Sequence, residues 1–281
     1  MADSLPHPAR PRMSTRNRLL FFLTAWLLVL MPFLFWWSTW FGRTLTDKEM
    51  GEYLNDNAHP RHIQHAIVQL GQRMSQHDGS AARWYPDLVR LASNSHEEVR
   101  STDAWVMGQD TAGAGFHKTL LKMLNDPSVI VRGNAALSLV RFGDASGRAQ
   151  IVSLLQPVVI TSTSAGRIVD SAVVGTAIHQ GGLIAKLKKD DGQVEELRSP
   201  MTGRVRALSA ATGANVASGA AIATIEPGEE QVWEALRALY LIGQVDDLAA
   251  IRPYERELRE NSDRVRQQAL DTEKAIQERS R

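Results

Sequence analysis

Three histidines offer the first chemistry. His59, His62 and His65 stand three apart in HPRHIQH, a spacing that lets imidazoles share part of one helical face, and imidazole nitrogen is a good ligand for zinc-class ions. The stretch itself contains no carboxylate and opens on His-Pro, a turn signal that places its first residues ahead of any helix. The expectation is therefore exposed helix histidines, with no metal and no cofactor. No other constellation supplies a reaction. The absence of cysteine excludes thiol nucleophiles, disulfides and cysteine metal clusters together. GxSxG, HExxH, P-loop and dinucleotide-binding fingerprints are also missing, so no catalytic residue is assigned and no enzyme is expected.

The elements that would position such groups fall into three kinds. The first is apolar. From Leu19 to Phe41 the chain runs 23 residues without a charge, long enough as a helix to cross the hydrocarbon layer. Arg10, Arg12, Arg16 and Arg18 precede it, whereas Arg43 and Lys48 beyond it stand beside Asp47 and Glu49. This bias puts the N-terminus in the cytoplasm and everything after Gly42 on the periplasmic or external side of the cytoplasmic membrane. Trp36, Trp37 and Trp40 cluster at the exit end, as interfacial indoles do. Pro32 is expected to kink the span without preventing it. Elsewhere, 32 basic residues against 31 acidic ones leave a net charge of +1, which argues against a nucleic-acid partner.

The second kind is helical and repetitive. TDKE at Thr46–Glu49 reads as a capping box. Beyond it, amphipathic helices come in pairs, and the frame Asp126-Pro127, Val129, Val131-Arg132, Ala135-Ala136 recurs at Val99-Arg100 and at Val265-Arg266, with a weaker copy from His59-Pro60 to Leu70-Gly71. Between Val131 and Val265 lie 134 positions, and removing the stretch from Gln156 to Pro227 leaves 62, or two periods of 31. The missing frame is the helix Val232–Gly243. This pattern resembles HEAT repeats, which implies a stack of about five helix pairs with a surface suited to protein partners.

The third kind is the interruption. GTAIHQGGLI from Gly175 returns as GANVASGAAI from Gly213, and Gly166-Arg167-Ile168 returns as Gly203-Arg204-Val205. Short β-branched runs between glycines predict a small all-β unit of two like halves, with Gly166, Gly175, Gly181, Gly203, Gly213 and Gly219 at tight turns of positive φ. With SPMTGRV at Ser199–Val205, the stretch resembles the biotinyl/lipoyl domain, a barrel-sandwich hybrid, and the lipoyl-like domain of HlyD-type membrane-fusion proteins. The resemblance implies a two-halved barrel and places Lys188, Lys189, Asp190 and Asp191 at the tip of the hairpin that joins the halves. In carriers that tip holds the modified lysine, but no EAMKM-like or DKA-like motif flanks Lys188 or Lys189. The long helical hairpin of fusion proteins is absent too, replaced by the short loop from Lys186 to Arg198.

The expected plan is an α+β multidomain chain. It has a cytoplasmic tail at 1–18, a transmembrane helix at 19–41, a HEAT-like solenoid at 46–156 and 228–281, and a lipoyl-like barrel at 157–227, inserted in the fourth pair with its tip pointing away. The expected function is a non-enzymatic, single-pass membrane scaffold or adaptor. It would contact lipid through one helix and bind protein partners such as transporter or envelope components in export or efflux. The alternative that the resemblance implies is a tethered biotin or lipoyl carrier.

Overall fold

The computed structural model describes residues 14–40, 44–257 and 262–281. The tail at 1–13, Arg43 and the end of the apolar run at Phe41 lie outside them, as do the side chains of Arg18, Trp36, Trp37 and Trp40. The chain divides into two compact units, Met1–Met50 and Gly51–Arg281.

In the first unit, helix α1 (Thr15–Trp40) continues through Pro32. Its span Thr15–Phe33 is long and apolar enough to cross a membrane, and none of it is buried. Helix α2 (Asp47–Leu54), which begins in the first unit and ends in the second, starts where the capping box places it. The Thr46 N–H donates to a Glu49 carboxylate oxygen at 2.9 Å, and the Glu49 N–H donates to the Thr46 hydroxyl at 3.3 Å.

The remaining helices continue the pairing. They are α3 (Pro60–Ser75), α4 (Tyr85–Leu91), α5 (Glu97–Met107), α6 (Phe116–Met123), α7 (Val129–Arg141), α8 (Arg148–Ser153), α9 (Glu229–Ile242), α10 (Leu248–Ile251) and α11 (Asp263–Arg279). The second members pack in series, α3 on α5, α5 on α7, α7 on α9 and α9 on α11, and four of them pack on a preceding partner, α4 on α5, α6 on α7, α8 on α9 and α10 on α11, which is a repeat solenoid. Ile63, Leu70, Leu88, Met107, Phe116, Leu120 and Leu139 are fully buried in it, and each such side chain contributes about 1.5–3 kcal/mol relative to exposure. A polar side chain ties most steps to the next. Gln64 donates to the Glu98 carbonyl at 3.1 Å, buried Ser138 to the Ala104 carbonyl at 2.8 Å, and buried Thr272 to the Leu236 carbonyl at 3.0 Å.

The signature residues hold the stack together. Ser128 caps α7, Asp126 accepts the Ser128 N–H at 2.8 Å, and Arg132 donates to the Asp126 and Pro127 carbonyls at 2.6 and 2.9 Å. Arg100, one frame earlier, grips both Asp126 oxygens at 2.7 and 2.9 Å. Burial raises the Asp126 pKa most, but the hydrogen bonds from Arg100 and Ser128, with the charges of Arg100 and Arg132, outweigh it and hold the carboxyl below its usual range. In α11 the buried apolar positions are Val265, Ala269 and Ile276, while Leu270 faces outward.

Eight strands lie between α8 and α9: β1 (Val158–Thr161), β2 (Gly166–Ser171), β3 (Ala177–Ile178), β4 (Leu183–Lys189), β5 (Val194–Arg198), β6 (Gly203–Leu208), β7 (Asn215–Val216) and β8 (Ala221–Pro227). They pair in two four-stranded antiparallel sheets, β1-β8-β6-β3 and β5-β4-β2-β7. Exchanging the first four strands with the last four converts one order into the other, so the sequence repeat is a structural two-fold. Matching hydrogen bonds cross it: Gly175 N–H to the Val205 carbonyl and Gly213 N–H to the Ile168 carbonyl, both 2.7 Å. A single core that includes Ile168, Ile184, Val205 and Ile222 fills the space between the sheets. The expected two-halved barrel is present as a sandwich of two sheets that does not close, because β3 and β7, two residues each, end their sheets without joining the other one.

The glycines divide in the same symmetric way. Gly175, Gly181, Gly213 and Gly219 have φ of 89°, 74°, 95° and 79°, the conformation that favours glycine. Gly166 and Gly203 do not, and here the expectation of positive φ is corrected. They open β2 and β6, where a Cβ would sit 2.4 Å from the Lys188 carbonyl oxygen and 2.0 Å from that of Glu226. Close strand approach, not turn geometry, demands them.

Candidate functional site

The hairpin joining the two halves is the first candidate. Lys188 and Lys189 lie within β4, paired with Arg167 and Gly166 of β2, and only Asp190 and Asp191 occupy the turn. Lys189 pairs with Glu195 at 3.1 Å, which also accepts hydrogen bonds from Thr163 and from Ser164, the latter at 2.9 Å. The Thr163 bond, then Lys189, hold the Glu195 carboxyl below its usual range. Asp191 accepts the Gln193 N–H at 2.9 Å. Among the described residues, every hydrogen bond and ion pair of the stretch from Lys186 to Leu197 closes within the β unit. The two lysines line an open groove of about 390 Å³ together with Arg167, Asp190 and Asn215. Away from the hairpin, in the turn before β4, Gln180 donates to Glu97 of α5 at 3.3 Å, and Ile130 of α7 packs against the sheet core.

The histidines are the second candidate, and the structure separates them. His65 bonds Gln69 at 2.9 Å. His59 and His62 instead converge on Asp56, their Nδ1 atoms 2.9 and 2.7 Å from its Oδ2. The backbone explains the convergence. His59 N–H donates to the Asp56 carbonyl at 3.0 Å and His62 N–H to the His59 carbonyl at 2.9 Å, and residues three apart eclipse in such i to i+3 turns. Tyr53 stacks on His62 with ring centroids 4.5 Å apart. The hydrogen bond with His62, then that with His59, hold the Asp56 carboxyl below its usual range. The carboxylate missing from HPRHIQH thus stands three residues before it, and the spacing Asp-x-x-His-x-x-His was the available signal.

A third surface lies between α9 and α11, an open groove of about 510 Å³ with Tyr240 and Leu241 on one wall and Asp271, Lys274 and Glu278 on the other. No family model and no curated protein matches the chain. Solved structures do. A designed armadillo repeat protein in complex with a (KR)4 peptide is 16% identical with a TM-score of 0.41, covering 81% of this chain and 80% of its own. A second designed armadillo repeat protein is 15% identical with a TM-score of 0.41 and covers 81% and 80%. An engineered protein is 17% identical with a TM-score of 0.41 and covers 83% and 80%. The solenoid described above rests on its own helix packing.

One further group was not legible in the sequence. Burial, then the hydrogen bond and charge of Glu273, push the Glu255 carboxyl up to about 7. Arg252, just after α10, binds Glu273 of α11 at 3.2 Å, and this ion pair ties the last helix pair.

Proposed function

We propose that the chain is a non-enzymatic scaffold, anchored in the cytoplasmic membrane by α1, that presents a HEAT-like solenoid and a lipoyl-like module to protein partners on the external side. The observation that carries this reading is the way the β unit is mounted. It sits between α8 and α9, which still pack on each other, and Lys189, Asp191 and Glu195 of its linking hairpin bond within the unit itself. A displayed module without a reactive group works by shape. The topology of two exchanged four-strand halves supports the lipoyl-like assignment, and the shared plan of a membrane helix followed by such a module supports a place in export or efflux machinery, by analogy with HlyD-type adaptors.

The carrier alternative has less support. A carrier lysine stands free at a turn, whereas Lys189 is ion-paired and Lys188 lies within a strand. Capture of cross-linked partners from native membranes tests the choice. The double variant Lys188→Arg, Lys189→Arg keeps charge and forbids acylation, so it should retain every partner, while Tyr240→Glu with Leu241→Glu in the α9/α11 groove should lose them. Partner loss in the arginine variant, together with a mass adduct on the native chain, would establish the carrier instead.

A further inference from the structure

We propose that Asp56, His59 and His62 form a binding site for one late first-row divalent metal ion, of which Zn²⁺ is the reference. This site is independent of the scaffold reading. One carboxylate oxygen and two imidazole nitrogens, each from a different side chain, lie within 4.8 Å of one another. Zinc bonds of about 2.0–2.1 Å at the tetrahedral angle set ligand atoms about 3.3 Å apart. The Oδ2 to Nδ1 distances of 2.9 and 2.7 Å need open by only about half an ångström to meet that requirement. In the exchange the metal takes the place of the Nδ1 protons; the proton of a neutral ring moves to Nε2, that of a charged ring passes to solvent, and each imidazole ends neutral with its single proton on Nε2.

The donor set selects the ion. Two imidazoles with one carboxylate suit zinc, nickel, cobalt or copper, whereas calcium and magnesium need more oxygens than three side chains of this kind supply. Three protein ligands also leave a fourth position for water. The N-terminus of α3, which begins after His59, opposes a cation with about half a positive charge; the full negative charge of Asp56 exceeds it. His59 and His62 are 64% and 44% exposed, so an ion reaches the site without unfolding, and Tyr53 stacked on His62 fixes one ring in place. Occupied, the site would staple the turn between α2 and α3.

The test is Zn²⁺ titration of the full-length chain in detergent micelles against a chromophoric chelator, with Co²⁺ absorption reporting coordination geometry. One equivalent should bind with a tetrahedral cobalt spectrum. Asp56→Asn and His62→Gln should each weaken it at least ~10-fold, since even loss of an outer-shell partner costs that much. His59→Gln should do the same with the fold intact, because the His59 side chain makes no capping hydrogen bond to the α3 backbone. His117→Gln is the control, since among the described residues that histidine bonds a single carboxylate, Asp144, at the same 2.7 Å. Equal affinity in wild type and the three variants, equal loss in the control, or displacement of Zn²⁺ by equimolar Mg²⁺ or Ca²⁺ would overturn the proposal.

Discussion

The chain contains two repeats of opposite character, the two-fold β unit and the open helical stack. In the β unit the contacts come in matched pairs. Gly181 N–H donates to the Ser199 carbonyl as Gly219 N–H does to that of Ser162, both 2.8 Å, and buried Ser162 and Ser199 each donate to the carbonyl two residues on. In the stack the ties differ from step to step: Gln64 in one, Ser138 in another, Thr272 in a third, with ion pairs Arg100–Asp126 and Arg148–Asp247 at 2.7 Å. A dyad makes each half complete the other, so one change is felt at a site the partner half depends on. A stack asks each repeat only to fit its neighbours, and it tolerates drift.

The largest effect that would break this contrast is expected in the stack itself. Arg100 and Asp126 are 12% and 8% exposed, and removing one partner of a fully buried pair costs about 3–5 kcal/mol, an upper bound of which this partly buried pair should lose about 2–4 kcal/mol. Arg100→Ala should therefore lower stability by that amount in denaturant unfolding, while Arg266→Ala, in the same frame but paired with exposed Asp263, should cost under about 1 kcal/mol. Equal losses would mean that the repeats are equivalent after all. Next come Gly203→Ala and Gly166→Ala, which push a Cβ against a strand carbonyl and should each cost roughly 1–3 kcal/mol, read as loss of β structure with helical circular dichroism retained. If one is tolerated and the other is not, the two-fold is only approximate.

The smallest effect concerns Asp103 in α5, fully buried with neither oxygen hydrogen-bonded among the described residues. Burial, against a weaker pull from Arg90, holds this carboxyl well above its ordinary value of 3.8. The folded chain thus binds the proton more tightly than the unfolded one, so stability falls as pH climbs from that value through the raised one and stays low above it. Asp103→Leu should gain roughly 1 kcal/mol at about pH 7, and the gain should shrink toward about pH 4. A pH-independent gain would show that charge is not the cause. The β core has no counterpart, since its buried serines are both satisfied.

Period and pairing were legible because both repeats write their geometry in spacing: Val-Arg at the start of three frames, at Val99, Val131 and Val265, and Gly-x-x-apolar-x-x-Gly at each β turn. What depended on the third dimension was not. The residue spacing of Gly166 and Gly203 marked them as special, but only strand contact reveals that a Cβ is excluded there by a neighbouring carbonyl. Lys188 and Lys189 read as turn residues because hairpin register is set by pairing across β2, β4 and β5, which a single strand's composition does not encode. Asp56 precedes the helix that carries the histidines, and its three-residue spacing from His59 becomes a shared site only through the turn's backbone hydrogen bonds.

The antiparallel pairing of β1 with β8 sets Val158 opposite Ile225, so the β unit begins and ends at neighbouring points. Tension along the polypeptide would pass from α8 to α9 across their contact and leave the sandwich unloaded. Only after those helices part would force reach the sheets, and it would then peel β1 from β8 one hydrogen bond at a time instead of shearing the strands together. The module rides outside the line of mechanical strain.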